Sequence, residues 1–458
     1  MAATEVIPQA WNDFTGLTAP KSVSLASSAV VAHSVNIGCT EEALTVEPSA
    51  QWMGIAGGQA SVARGDIANL ILWAEPNFST QSRHASLVVT GADSKKSVMI
   101  YVTQPPYLQT ITEGLPARLE TQKSSYNYSE WDTKGICSPK NGSATLCAVA
   151  TNGEALTYSR DGGPIITGMK EGDYLLFAVP TKGVNAGEQI DFMCTIAAVD
   201  GDAPKYFIFE YWDNDQWNCV EESLLTAKDN PSLKYSLYCQ VFANAHNTTF
   251  TQSFTLDQPI NDGCVKVRLR ALTKATGSVR IPNSAGYMGM YLINYPDAPQ
   301  QTTDTKKILF IGNSFTYYYG TAFMFKEIAR SQGHQVNAVI SIKGSQEFKE
   351  HLELTLSQEA IKQGGYDYAF LQDTSPNAAY YADELGKDHD VRKAIRVKCE
   401  EINDLTLTYS PDCQIIYERT WACPEEGNTY RGYDNYERLE CFLKKGMELL
   451  QAKVNENN

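Results

Sequence analysis

Three short blocks near the C-terminal end carry residue types suited to attack on a carbonyl. The apolar run Ile308-Leu309-Phe310-Ile311 ends on Gly312-Asn313-Ser314, and helical spacing follows at Ala322, Phe325, Ile328 and Ala329. A serine at a strand-to-helix junction presents its hydroxyl at the carboxyl end of a sheet, where backbone N–H groups face any anion that develops. Two more strand ends carry neutral donors: Lys343-Gly344-Ser345 and Gln372-Asp373-Thr374-Ser375. A glycine N–H and a carboxamide NH₂ stabilise an oxyanion without competing with a base for charge. Ser314 is the candidate nucleophile, and Ser314, Gly344 and Gln372 are the candidate oxyanion donors.

A serine nucleophile also needs a base. His351 lies in a helical pattern, where packing or surface exposure is the preferred reading. His389, within Lys387-Asp388-His389-Asp390, sits at a predicted helix start that either aspartate can cap. His334 follows Gly333 and is expected to be exposed, and His33, His84 and His246 belong to β-rich segments. Asp373 has no histidine near it in sequence and stays unassigned.

The elements that position these blocks alternate strictly. Strands are predicted at Ile308–Ile311, Val336–Ile342, Tyr368–Leu371 and Gln414–Tyr417. Helical spacing links Phe348, Leu352 and Leu356, then Val391 to Leu405, then Tyr436 to Met447. Such β–α alternation predicts a doubly wound parallel sheet with helices on both faces. Upstream the period changes. Short alternating strands from Ser22 to Gln104 predict a small β-sandwich, which Pro105-Pro106 ends. Leu108 to Tyr295 is also β-rich and predicts a jelly-roll-like double sheet. Pro296 to Lys306 reads as a linker, so the domains expected are 22–105, 108–296 and 306–458. Trp212-Asp213-Asn214-Asp215-Gln216-Trp217 pairs aromatic faces with carboxylates and amides, which suits sugar binding. A hairpin turn with both tryptophans anchoring the core is the preferred reading. Asp213 and Asp215 lack the calcium-loop spacing.

Composition bounds the function. The chain has 458 residues, too many for one ordinary core. Its formal charge of −15 repels nucleic acid and anionic lipid and is compatible with a neutral substrate. No run approaches the roughly 18 apolar residues of a membrane span. Met1 to Ala10 has no leader pattern, so a cytosolic protein or a mature form without its leader is expected. The eleven cysteines form no C-x-x-C pair, which disfavours zinc. Cys137 with Cys147, or Cys413 with Cys423, has spacing compatible with a bridge.

The three blocks together resemble the SGNH, or GDSL-like, hydrolase superfamily. Gly312-Asn313-Ser314 stands for its Gly-Asp-Ser, with Asn313 in place of the acid. Gly344 matches the glycine of the oxyanion hole, and Leu371-Gln372 sits where the superfamily places its Asn donor. A branch with Ile-Gly-Asn-Ser-Phe is similar also at Gly344 to His351 and at Leu371 to Ser375. The resemblance implies a flavodoxin-like fold, an ester hydrolase needing no metal or cofactor, and secondary roles for Asn313 and His351. The superfamily's base comes from a late Asp-x-x-His, and none occurs in this sequence. The expectation is a domain truncated before that block and inactive, or nearly so, without it.

Asn69 to Asn77, Arg83 to Val89 and Val102-Thr103-Gln104 resemble the BACON domain, an immunoglobulin-like module of bacterial carbohydrate-active and surface proteins. That resemblance implies a secreted, periplasmic or cell-surface location, and an acylated carbohydrate or other small acyl ester as substrate. It also implies a possible glycan partner for the β-domains. The alternative expectation is a non-catalytic secreted or surface glycan-binding protein.

Overall fold

The computed structural model describes residues 14–456 except 29–32, 59, 108–113, 116, 120–128, 132–134, 140–143, 161–162, 182, 228–229, 240–247, 261–262, 274, 282–289, 295–303, 318–320, 383–388 and 423–435. The expected linker 296–306 falls largely outside these residues, as do His246, Cys423 and the N-terminal stretch. The chain is mostly β, with several sheets. Among the described residues no helix is long and apolar enough to cross a membrane.

Alternation drives the N-terminal strands. In Ser97–Gln104, Val98, Ile100 and Val102 are buried while Tyr101 faces out. A four-stranded sheet built on His33–Cys39 and Ile67–Ala74 faces a five-stranded sheet built on Leu44–Pro48, Arg83–Gly91 and Ser97–Gln104. Their inner faces share one core that includes Ile37, Leu72, Val46, Leu87 and Ile100. At one end Arg83 Nε donates to Gln104 Oε1 (2.7 Å), and Asn77 Nδ2 donates to the Gln104 carbonyl (3.2 Å).

Residues 117–294 form a seven-stranded and an eight-stranded sheet. The core between them holds Phe177, Phe192, Phe207, Phe209, Val267 and Leu292. Tyr174–Thr181 is buried along its whole length, which one sandwich face cannot explain. Leu175, Phe177 and Val179 point into the sandwich; Tyr174, Leu176 and Ala178 point out and pack with Phe78 of the first unit. On the other sheet, Ile190, Phe192 and Cys194 point in. Asp191 on the outer face meets Lys326 of the last unit. The middle sandwich is thus covered on both outer faces. Cys137 and Cys147 lie on facing strands but in different clusters, on opposite faces, so the pair is not placed to bridge. Trp212 and Trp217 face each other across a hairpin whose turn residues Asn214 and Asp215 have positive φ (51° and 59°), as a tight two-residue turn requires.

The last unit is a four-stranded parallel sheet. Its spatial order is Val336–Ile342, Lys306–Gly312, Tyr368–Leu371, Gln414–Tyr417. Ile308 and Phe310 face the helix Thr321–Ser331. Leu309 and Ile311 face the other way, into a core shared with Ser375–Ala382, His389–Tyr409 and Tyr436–Glu456. The helical pattern around Phe348 to Leu356 is two helices, Phe348–Glu353 and Thr355–Lys362, broken at extended Leu354. The edge strand Val336–Ile342 lies against Thr248–Thr255 of the sandwich, and Thr251 Oγ1 donates to the Ala338 carbonyl at 3.2 Å.

Candidate active site at the strand ends

The strand Lys306–Gly312 is central, so its end has a neighbour on each side. Gly312 pairs with Ile342, and Ile311 with Leu371. Ser314, Gly344 and Gln372 therefore stand one or two residues beyond three adjacent strand ends, at one edge of the sheet. Gly312 must be glycine here. A Cβ would lie 2.3 Å from Thr316 Oγ1 and 2.8 Å from Gln372 Oε1.

Asn313 is buried and staples the turn. Its backbone N–H donates to Gln372 Oε1 (2.8 Å), its Nδ2 donates to the Gln346 carbonyl (2.9 Å), and its Oδ1 accepts the Phe315 N–H (3.2 Å). The Thr316 hydroxyl lies 2.9 Å from Gln372 Oε1 and 3.2 Å from Glu418 Oε2, so its one proton serves one acceptor at a time. Because the Asn313 N–H can only donate, the oxygen end of the Gln372 amide must face it. Gln372 Nε2 then donates to the Asp373 carbonyl. Ser314 itself is half-buried.

The loop after Val336–Ile342 closes the other side. The Lys343 N–H donates to the Gly312 carbonyl (2.9 Å), Gly344 is buried, and Ser345 adopts a positive φ of 60°. Burial lowers the Lys343 ammonium to about 7, against the opposing pull of Glu350.

His351 is fully buried beneath this turn. Its Nε2 faces the Gly312 carbonyl at 3.1 Å, an acceptor only, so Nε2 carries the proton. Its Nδ1 then accepts from Ser357 (2.7 Å), whose oxygen lies 2.8 Å from Ser341 Oγ. Burial pulls the imidazole down to about 4; the Gly312 bond opposes this and Lys343 adds to it. His351 is a neutral strut under the strand end.

Two carboxyls that sequence reasoning left unassigned or missed lie at the same edge. Asp373 Oδ1 accepts the Phe348 N–H (3.1 Å), capping that helix from a different loop, and Asn377 Nδ2 donates to Oδ2 (2.9 Å). Burial raises Asp373 to about 6, despite these donors. Glu418 was not singled out, although it follows the fourth strand. Burial raises it too, with the Thr316 contact opposing. Trp421, 53% exposed, meets Phe315 edge to face at 4.7 Å. His334 and His84 are exposed; His389 begins a helix. Asp213 accepts the N–H groups of Asn214 (3.0 Å) and Asp257 (2.7 Å). Among the described residues no group of three or more His, Cys, Asp or Glu is arranged to hold a metal.

No family model matches the chain, and no curated protein matches it. Solved structures give weak likenesses to ester hydrolases and carbohydrate-active enzymes. A GDSL-like lipase from Parabacteroides merdae shares 13% identity over 33% of this chain and 78% of its own, with TM-score 0.24. A peptidoglycan O-acetylesterase shares 9% over 70% of this chain and 66% of its own, with TM-score 0.27. A xylanase from Cellvibrio japonicus shares 10% over 66% of this chain, with TM-score 0.20, and the chain spans half of its length.

Proposed function

We propose that this chain carries the nucleophile and oxyanion donors of an SGNH-type ester hydrolase acting on an acylated carbohydrate. In this reading residues 306–458 are a flavodoxin-like catalytic domain. Residues 22–105 are an immunoglobulin-like module of the BACON type, and 108–296 a jelly-roll-like sandwich, in a secreted, periplasmic or surface protein. One observation supports it above the others: Ser314 lies past the central strand, between Gly344 and Gln372 past its two neighbours.

Ser314 Oγ attacks the acyl carbon, and the carbonyl electron pair moves onto oxygen. The N–H groups of Ser314 and Gly344 receive that charge, joined by the second Nε2 proton of Gln372. Asn313, Thr316 and Gln372 Oε1 fix the turn, so the donors are set before substrate arrives. The proton of Ser314 needs a base. His351 is not that base, because its protonated Nε2 is committed to Gly312. With the Ser314 proton passing to solvent water, the remaining oxyanion and binding effects are worth about 10³-fold over water, so slow turnover by this chain is expected.

The test is acetyl-ester hydrolysis, with 4-nitrophenyl acetate and acetylated xylan, by the chain and by Ser314→Ala. Loss of the enzymic rate in Ser314→Ala is expected. An unchanged rate removes Ser314 from the chemistry and leaves the second reading, a non-catalytic glycan-binding protein, which the aromatic groove between the two β-units favours.

A further inference from the structure

We propose that the groove between the first β-unit and the middle sandwich binds a neutral oligosaccharide. The inference takes its ligand class from the carbohydrate reading above and does not depend on Ser314. The groove measures about 860 Å³, within the size range of small-ligand sites. Its walls come from segments remote in sequence: Glu47, Gln51 and Trp73 on one side, Glu171, Trp217 and Arg268 on the other.

Trp73 is the floor. It pairs with Gly54 across the strands, and a Cβ there would come within 2.4 to 2.6 Å of three indole atoms. Glycine lets the indole lie directly on the strand backbone, with its remaining surface turned to the groove. An indole face attracts the C–H edge of a sugar ring, while hydroxyls at the rim need donors and acceptors. Glu47, Glu171 and Gln51 are exposed acceptors at that rim, and the Arg268 guanidinium, 4.2 Å over the Trp217 ring, is a donor. Two carboxylates at the rim, on a chain of charge −15, disfavour phosphate or uronate.

The site is also held open in advance. Two residues after Trp73, Glu75 is buried against the other wall, accepting from Tyr174 (2.9 Å) and Lys266 (3.1 Å). Trp73 itself meets Tyr174 edge to face at 6.4 Å. A ligand therefore pays little to order this groove.

Calorimetric titration of the whole chain with xylohexaose, cellohexaose and chitohexaose tests the proposal. At least one is expected to bind, with Trp73→Ala weakening it by about tenfold or more, the loss typical of a truncated aromatic anchor. Glu171→Gln, on an exposed loop outside the sandwich core, is expected to weaken it by roughly threefold, a charge-assisted rim hydrogen bond made neutral. No binding by any of the three overturns the proposal. So does affinity unchanged in both variants. Binding that survives Trp73→Ala but is lost in Ser314→Ala assigns the sugar to the hydrolase site and equally overturns the groove. An absence of ester turnover bears only on the Ser314 reading.

Discussion

The middle sandwich meets a neighbour on each outer face, and each seam encloses one buried carboxylate beside a lysine. At the first seam Glu75 comes from the neighbour and is met by Lys266 and Tyr174 of the sandwich. At the second, Asp191 belongs to the sandwich and Lys326 arrives from the last unit at 3.0 Å. Burial pushes both carboxyls up, but the neighbouring cations and donors together outweigh it and hold both below the ordinary value: Lys266, Arg83, Tyr174 and Arg268 at Glu75, and Lys326, Ser253 and Gln189 at Asp191. What surrounds the charges differs. The first seam is aromatic, with Trp73, Tyr174 and Trp217, and leaves an open groove of about 860 Å³. The second is built of Thr251, Ser253, Gln189 and Gln252, covers a sheet edge, and leaves a cavity of about 360 Å³. The aromatic seam joins two bodies and still presents ring surface to a ligand, because Trp73 and Trp217 line its open groove. Small hydroxyl and amide side chains close down over exposed backbone.

The largest expected effect breaks the first seam. Glu75→Ala leaves the half-buried Lys266 and the buried Tyr174 hydroxyl without their acceptor, at a cost of about 3–5 kcal/mol. Denaturant unfolding measures it, and a loss below about 1 kcal/mol would mean the seam is not a rigid contact. Next comes acid, which separates the seams from the unit behind them. Both seam carboxylates have lowered pKa values, so their stabilisation is present above the unfolded value and is lost only as pH falls through the folded one. His351, at about 4 when folded against 6.5 otherwise, destabilises the last unit as pH falls from 6.5 to 4. Asp373, raised to about 6, takes up a proton in the same window and offsets this; Glu418 acts in the same direction. The wild type should therefore be nearly flat across the window, and Asp373→Asn should lose about 3 kcal/mol there. A flat Asp373→Asn curve in a pH series of unfolding midpoints would contradict the buried neutral imidazole.

The smallest effect is at the second seam. Lys326→Met removes the cation but leaves Asp191 its bonds from Ser253 (2.6 Å) and Gln189 (2.8 Å), so about 1–3 kcal/mol is expected. A loss as large as that of Glu75→Ala would make the two seams equivalent and erase the distinction drawn above.

Much of the last unit is legible in the sequence. Three of its four strands have the bounds that the apolar runs mark, and the fourth extends to Lys306–Gly312. Periodicity reveals such elements because each face of a parallel sheet is buried by helices. The helix Ser375–Ala382 went unread because its apolar face is small, made of alanines and tyrosines. The Trp212–Trp217 hairpin forms as expected, but its tryptophans are half-buried and do not anchor a core; Trp217's place in a groove wall was not legible, since the opposite wall begins near Glu47. The same distance hides both seams: Glu75 and Lys266 are 191 residues apart. At the candidate site, Ser314, Gly344 and Gln372 are marked in the sequence by residue type and by their place after strand-like runs, and the structure puts them past three adjacent strand ends. Glu418 did not, because one glutamate after a strand has no signature until Thr316 is seen beside it.

The strut under Gly312 has a practical consequence for anyone mapping this protein by mutagenesis. Removing the imidazole of His351 would leave the Gly312 carbonyl and the Ser357 hydroxyl without their common partner and loosen the peptide from which Ser314 projects. Under the hydrolase reading proposed above, such a variant loses turnover although His351 takes no proton from Ser314. A scan that ranks histidines by lost activity alone would then nominate a residue that holds the turn in place.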